Sequence, residues 1–72
     1  MKATADDLNL FEQLFEIRNA GNIVRIQLDD NSNAMRKTEV RIIAGDYSLT
    51  VEAQGKTFAE CALTAITKWG VK

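Results

Sequence analysis

The stretch GKTFAECALTAITKWG, residues 55–70, decides how this chain folds. Thr57 and Glu60 stand three apart. At that spacing a threonine hydroxyl can cap a helix while a glutamate reaches back to the cap. The spacing predicts a helix starting near Phe58. Phe58, Cys61, Ala62, Ala65, Ile66 and Trp69 then recur at intervals of three and four, which places them on one helical face. The alanines keep that face thin, so the helix can lie close against a sheet or another helix. Gly70 is the expected stop. A helix of this kind closes a core.

Upstream, Thr4 and Asp7 repeat the capping pattern, with aspartate in the acidic position. Asp6 and Asp7 suit the positive end of a helix, and Arg18 the negative end. Leu8, Leu10, Phe11, Leu14, Phe15 and Ile17 fill one half of the wheel; Asn9, Glu12, Gln13 and Glu16 fill the other. The expectation is a helix lying on a core by that apolar half. Gly21 in Asn19-Ala20-Gly21-Asn22 is the expected left-handed stop.

Between the helices the period changes from 3.6 to 2. Val24, Ile26 and Leu28 alternate with Arg25, Gln27 and Asp29. After the turn-forming run Asp30-Asn31-Ser32-Asn33, Thr38, Val40 and Ile42 alternate with Lys37, Glu39 and Arg41. Ile43 breaks the alternation as an apolar residue on the polar side. Gly45-Asp46 turns the chain, and Tyr47, Leu49, Val51 and Ala53 form the apolar side of a third strand. The fold class that follows is α+β. It is a helix, a three-stranded antiparallel sheet and a helix (αβββα), with both helices packed on one face of the sheet, in a single domain over residues 1–72.

Composition narrows function. Nine basic and ten acidic residues give a net charge of −1, so no long-range field draws in nucleic acid or an anionic membrane. No apolar run is long enough to span a bilayer, so no membrane association is expected. One cysteine cannot form an internal disulfide, which fits a reducing cytoplasm. No secretory leader is expected, because residues 1–7 are polar and no long apolar run follows. The chain holds no histidine, the commonest general base near neutral pH, which removes His-based triads and most zinc chemistry. Cys61 lies inside an apolar stripe and reads as a structural thiol. Residues 29–33 alternate oxygen ligands like the start of a calcium loop. Ala34 stands where that loop needs glycine and Val40 where it needs a bidentate glutamate. Neither a catalytic centre, a metal nor a cofactor is expected.

The element order and length resemble the double-stranded-RNA-binding domain. That family docks on phosphates through lysines at the start of its second helix, behind a glycine. Here the matching stretch is Gly55, Lys56, Thr57, Phe58, Ala59 and Glu60, with one lysine and an acid where a base is wanted. A looser pattern covers more of the chain. An N-terminal helix, a sheet ending in Ser48-Leu49-Thr50-Val51-Glu52-Ala53, and a closing helix of T-x-x-x-A-x-x-x-A kind resemble small phage and prophage proteins of the alpha-beta-alpha sandwich type. Thr57, Cys61 in place of the first alanine, and Ala65 carry that motif. The resemblance implies a phage or prophage accessory protein in the bacterial cytoplasm.

The function expected on these grounds is non-enzymatic protein–protein binding. The implied partner is a host or phage protein, and the role inhibition of a host defence or DNA-processing complex. The mixed-charge sheet face and the strand edges are the candidate surface, with Arg25, Lys37, Glu39, Arg41 and Ile43 as partner-binding residues. A homodimer through a sheet edge fits the same features. The alternative is a nucleic-acid-binding module using a local basic patch of Arg25, Arg36, Lys37 and Arg41, which Glu39 and Glu52 would blunt.

Overall fold

The computed structural model describes residues 3–28 and 38–71. Helix α1 spans Ala5–Asn19, strands β1, β2 and β3 span Ile23–Gln27, Thr38–Ile43 and Thr50–Gly55, and helix α2 spans Phe58–Val71. The strands form one antiparallel sheet in the order β1-β2-β3. Both helices pack against its apolar face, with α2 over β2 and β3 and α1 beside α2 over β1.

Local chemistry sets the ends of the elements. Asp7 N donates to Thr4 Oγ1 at 3.1 Å and Thr4 N donates to Asp7 Oδ2 at 2.9 Å, so the first capping box forms with aspartate. Gly21 takes φ +100°, and its amide donates to Arg18 O at 3.0 Å. Thr57 Oγ1 accepts from Glu60 N at 3.2 Å at the start of α2. That helix runs through Gly70 to Val71, so Gly70 does not end it. A glycine whose φ stays helical costs some stability without breaking the ladder.

The core is Leu14, Val40, Ile42, Val51, Ala53, Cys61, Ala62 and Ala65, with Phe58, Ile66 and Trp69 packed around it. The thin face of α2 thus lies inward, as its spacing predicts. Asn22 ties three elements together. Its Nδ2 donates to Ile17 O at 3.0 Å, and its Oδ1 accepts from Gly45 N at 3.2 Å. A β-carbon on Gly45 would collide with the Gly21 carbonyl, so the two turns meet where only glycine fits.

Two further expectations need correcting. Tyr47 is not part of β3. It sits in the turn at φ +62°, exposed, with its amide donating to Ala44 O at 2.8 Å. Asp46 Oδ1 accepts from Ser48 N and Ser48 Oγ, and this local turn outcompetes the alternating pattern. The apolar half of α1 is not uniformly buried either. Leu14 is fully buried and Leu10 and Ile17 pack on the core, whereas Leu8, Phe11 and Phe15 stand about half exposed. Six apolar side chains make a wider stripe than β1 and α2 can cover.

Candidate functional site

The polar face of the sheet carries most of the sequence-predicted binding residues. Register places Arg25 opposite Arg41, and Arg41 opposite Glu52. Arg41 Nη2 lies 3.0 Å from Glu39 Oε1 and 3.0 Å from Glu52 Oε2, so one guanidinium bridges two carboxylates. Its Nε is shielded from solvent and has no acceptor among the described residues. Arg25, Gln27, Glu39 and Arg41 line a shallow depression of about 370 Å³. Ile43 is half-buried and pairs across the ladder with Ile23, so the apolar residue that breaks the pattern has an apolar neighbour. Lys37, like Arg36 and the 29–33 run, lies outside the described residues. The structure brings Arg25, Glu39, Arg41 and Ile43 onto one face. It also shows that Arg41 is already neutralised there.

A second surface comes from the side chains that α1 fails to bury. Leu8, Phe11, Phe15 and Leu28 are 57%, 47%, 49% and 69% exposed. Phe11 and Phe15 stack on each other with ring centroids 6.4 Å apart and an angle of 24°. The Arg18 guanidinium stands 5.7 Å from the Phe15 ring. Between α1 and β1 run two depressions. One, of about 290 Å³, is lined by Phe11, Leu14, Phe15, Arg18, Val24 and Ile26. The other, of about 310 Å³, takes Leu8, Phe11, Ile26, Leu28 and Phe58. Phe11 and Ile26 border both, so they form one groove along the flank. No strand among the described residues pairs with the outer edge of β1.

No known protein family, curated protein or solved structure matches this chain.

Two further placements bear on chemistry. Cys61 is buried, and its Sγ donates to Thr38 O at 3.1 Å. Burial pushes its thiol up, and the neighbouring charge of Glu60 pushes it further, so the nucleophilic thiolate is disfavoured. At the start of α2 the Glu60 carboxylate folds back toward Gly55, 3.2 Å from where a β-carbon on Gly55 would stand. An acid thus fills the space beside Gly55 at the start of α2. No group of three or more carboxylates or cysteines gathers to hold a metal among the described residues. No helix among them is long and apolar enough to cross a membrane.

Apart from Asp7 and Arg18, the side chains along the α1–β1 groove are apolar, and their spacing alone predicts core positions for them. The signal that could have found the groove is width. Leu8, Phe11 and Phe15 form a second stripe, at i, i+3 and i+7, beside the Leu10, Leu14 and Ile17 stripe.

Proposed function

We propose that this protein acts by binding a polypeptide through its α1–β1 flank, without catalysing a reaction. One observation carries the reading: large apolar side chains, Leu8, Phe11, Phe15 and Leu28, lie between 47% and 69% exposed beside a strand edge that nothing described pairs with. An apolar groove supplies affinity by desolvation, and an open edge supplies backbone donors and acceptors in fixed register. Leu14 and Val24 anchor the two elements to the core. The polar sheet face, with Arg25, Glu39, Arg41 and Ile43, lies on the other side of the sheet, and of these only Arg25 is on the β1 edge strand. The phage resemblance supplies the setting for the proposal, a bacterial cytoplasm with a host or phage protein as partner. The nucleic-acid reading draws little support, because Arg41 is ion-paired twice.

The test uses three tagged baits in bacteria that also express an untagged copy of the chain. They are the wild type, Phe11→Ser/Phe15→Ser, and Glu39→Gln/Arg41→Gln. A polypeptide held in stoichiometric amount by the first and third and lost by the second supports the reading. Equal retention by all three, or no bound polypeptide at all, refutes it.

A further inference from the structure

Resting on that docking reading, we propose that the occupant of the α1–β1 flank is a second copy of this chain. A two-fold axis would join the sheets edge to edge through β1 and lay the two α1 helices antiparallel across the seam.

The aromatic centre of the exposed α1 stripe, Phe11 and Phe15, is symmetric about residue 13, with the acidic Asp7 toward one end and the basic Arg18 toward the other. Leu8, Phe11, Phe15 and Arg18 are spaced evenly about residue 13, with Asp7 next to Leu8. Laid antiparallel on itself, the stripe sets Phe11 against the second copy's Phe15. It also brings Arg18 to the turn that holds the second copy's Asp7. The aromatic centre is thus closed at both ends by opposite charges. One helix thus carries both halves of the charge match that a second copy would use.

The strand is self-complementary as well. Antiparallel pairing about a two-fold axis must keep each residue on its own face of the sheet. Centring on Arg25 would place like charges directly opposite each other, which is unfavourable. Centring on Ile26 sets Ile26 against itself, Val24 against the second copy's Leu28, and Arg25 against its Gln27. Every core-side pair is then apolar, and Leu28, otherwise 69% exposed, gains a cover. The strand centre at Ile26 and the helix centre between Phe11 and Phe15 both fall mid-groove, with Leu8 and Leu28 lining one depression and Phe15, Arg18 and Val24 the other.

The opposite edge of the sheet is protected. Lys68 Nζ donates to Glu52 O of β3 at 3.2 Å, and a lysine laid on an edge strand discourages pairing. The four exposed side chains offer on the order of 400 Å² of surface. That is about half of the roughly 800 Å² per partner in a standard interface, and the strand ladder and rim would supply the rest.

The test is sedimentation velocity over a concentration series, with circular dichroism to confirm that each variant is folded. Wild type should pass from 8.0 kDa to twice that mass as concentration rises into the micromolar range. Asp7→Lys alone and Arg18→Glu alone should each weaken the dimer by on the order of tenfold, since two contacts per dimer change sign. Mixed one to one, the two variants should dimerise with each other as well as the wild type does with itself. Phe15→Ser, which leaves both charges and the helix cap in place, should abolish the dimer. A wild type that stays monomeric at high concentration overturns the inference, and so does a dimer indifferent to Phe15→Ser and to the charge exchange. A monomer that still holds another polypeptide through Phe11 and Phe15 overturns the second copy alone. A monomer whose binding ignores those residues overturns the docking reading too.

Discussion

Leu14 and Phe15 are neighbours in sequence and opposites in environment, which makes them a sharp pair for mutation. Leu14 is 1% exposed and Phe15 49% exposed. Leu14→Ala empties a cavity against the sheet and should cost about 3 kcal/mol. A chain of this size has a total stability of roughly 3–5 kcal/mol, so that variant should sit close to unfolding. Half of the Phe15 side chain is already in water. Phe15→Ala should forgo only about 1 kcal/mol of burial. Its stacking on Phe11 adds about 0.5 kcal/mol. Urea unfolding, followed by the fluorescence of the single tryptophan, Trp69, measures both. It must be run dilute enough that association adds nothing. With a slope of about 1 kcal/mol per molar for so small a domain, the two midpoints should lie about 1.5 M apart. At high protein concentration Phe15→Ala should lose more, because it also loses the stabilisation that association gives. Equal losses for the two variants in dilute solution would refute the division of α1 into a core half and a docking half.

Asn22→Ala removes both bonds that join α1, β1 and the β2–β3 turn, and should cost about 1–2 kcal/mol in the same assay. A loss no larger than that of an exposed surface substitution would show that the staple is idle. The Cys61 thiol is pushed up by burial, so the fold holds it neutral. The corresponding stability is fully present below the ordinary thiol value of 9.0 and is lost as pH climbs past it, since only the unfolded chain then ionises freely. Denaturant midpoints should fall above that pH for the wild type and fall less for Cys61→Ala; parallel curves would contradict the assignment. Alkylation of native Cys61 should also be far slower than of the urea-unfolded chain, and equal rates would show the thiol is open.

Much of the fold is legible in the sequence, for reasons that differ by element. The α2 stripe is narrow and rich in alanine, so it has one way to lie, and Cys61, Ala62 and Ala65 are indeed buried. The alternation of β2 is strict, and Thr38, Val40 and Ile42 are inward as it requires. The stripe of α1 is wide, and which half of it meets the sheet depends on how far two other elements extend. That is a tertiary fact with no local signal. Tyr47 shows the same limit in a turn. Its β propensity is outweighed by Asp46 bonding Ser48. Arg25, Glu39, Arg41 and Ile43 can be placed on one face from their parity alone. Glu39 is a same-strand neighbour of Arg41, but that Arg41 also joins Glu52 requires the β2–β3 register, which the turn after Ile43 sets.

The account's central claim is that the outer edge of β1 and the exposed stripe of α1 are one surface made to be covered. Amide hydrogen exchange, measured residue by residue in dilute and in concentrated protein, tests it most directly. Protection at residues 24–28 that rises with concentration, while β3 exchanges at an unchanged rate, is the predicted result. Exchange along β1 that is the same at every concentration, or protection that grows along β3 instead, would contradict it.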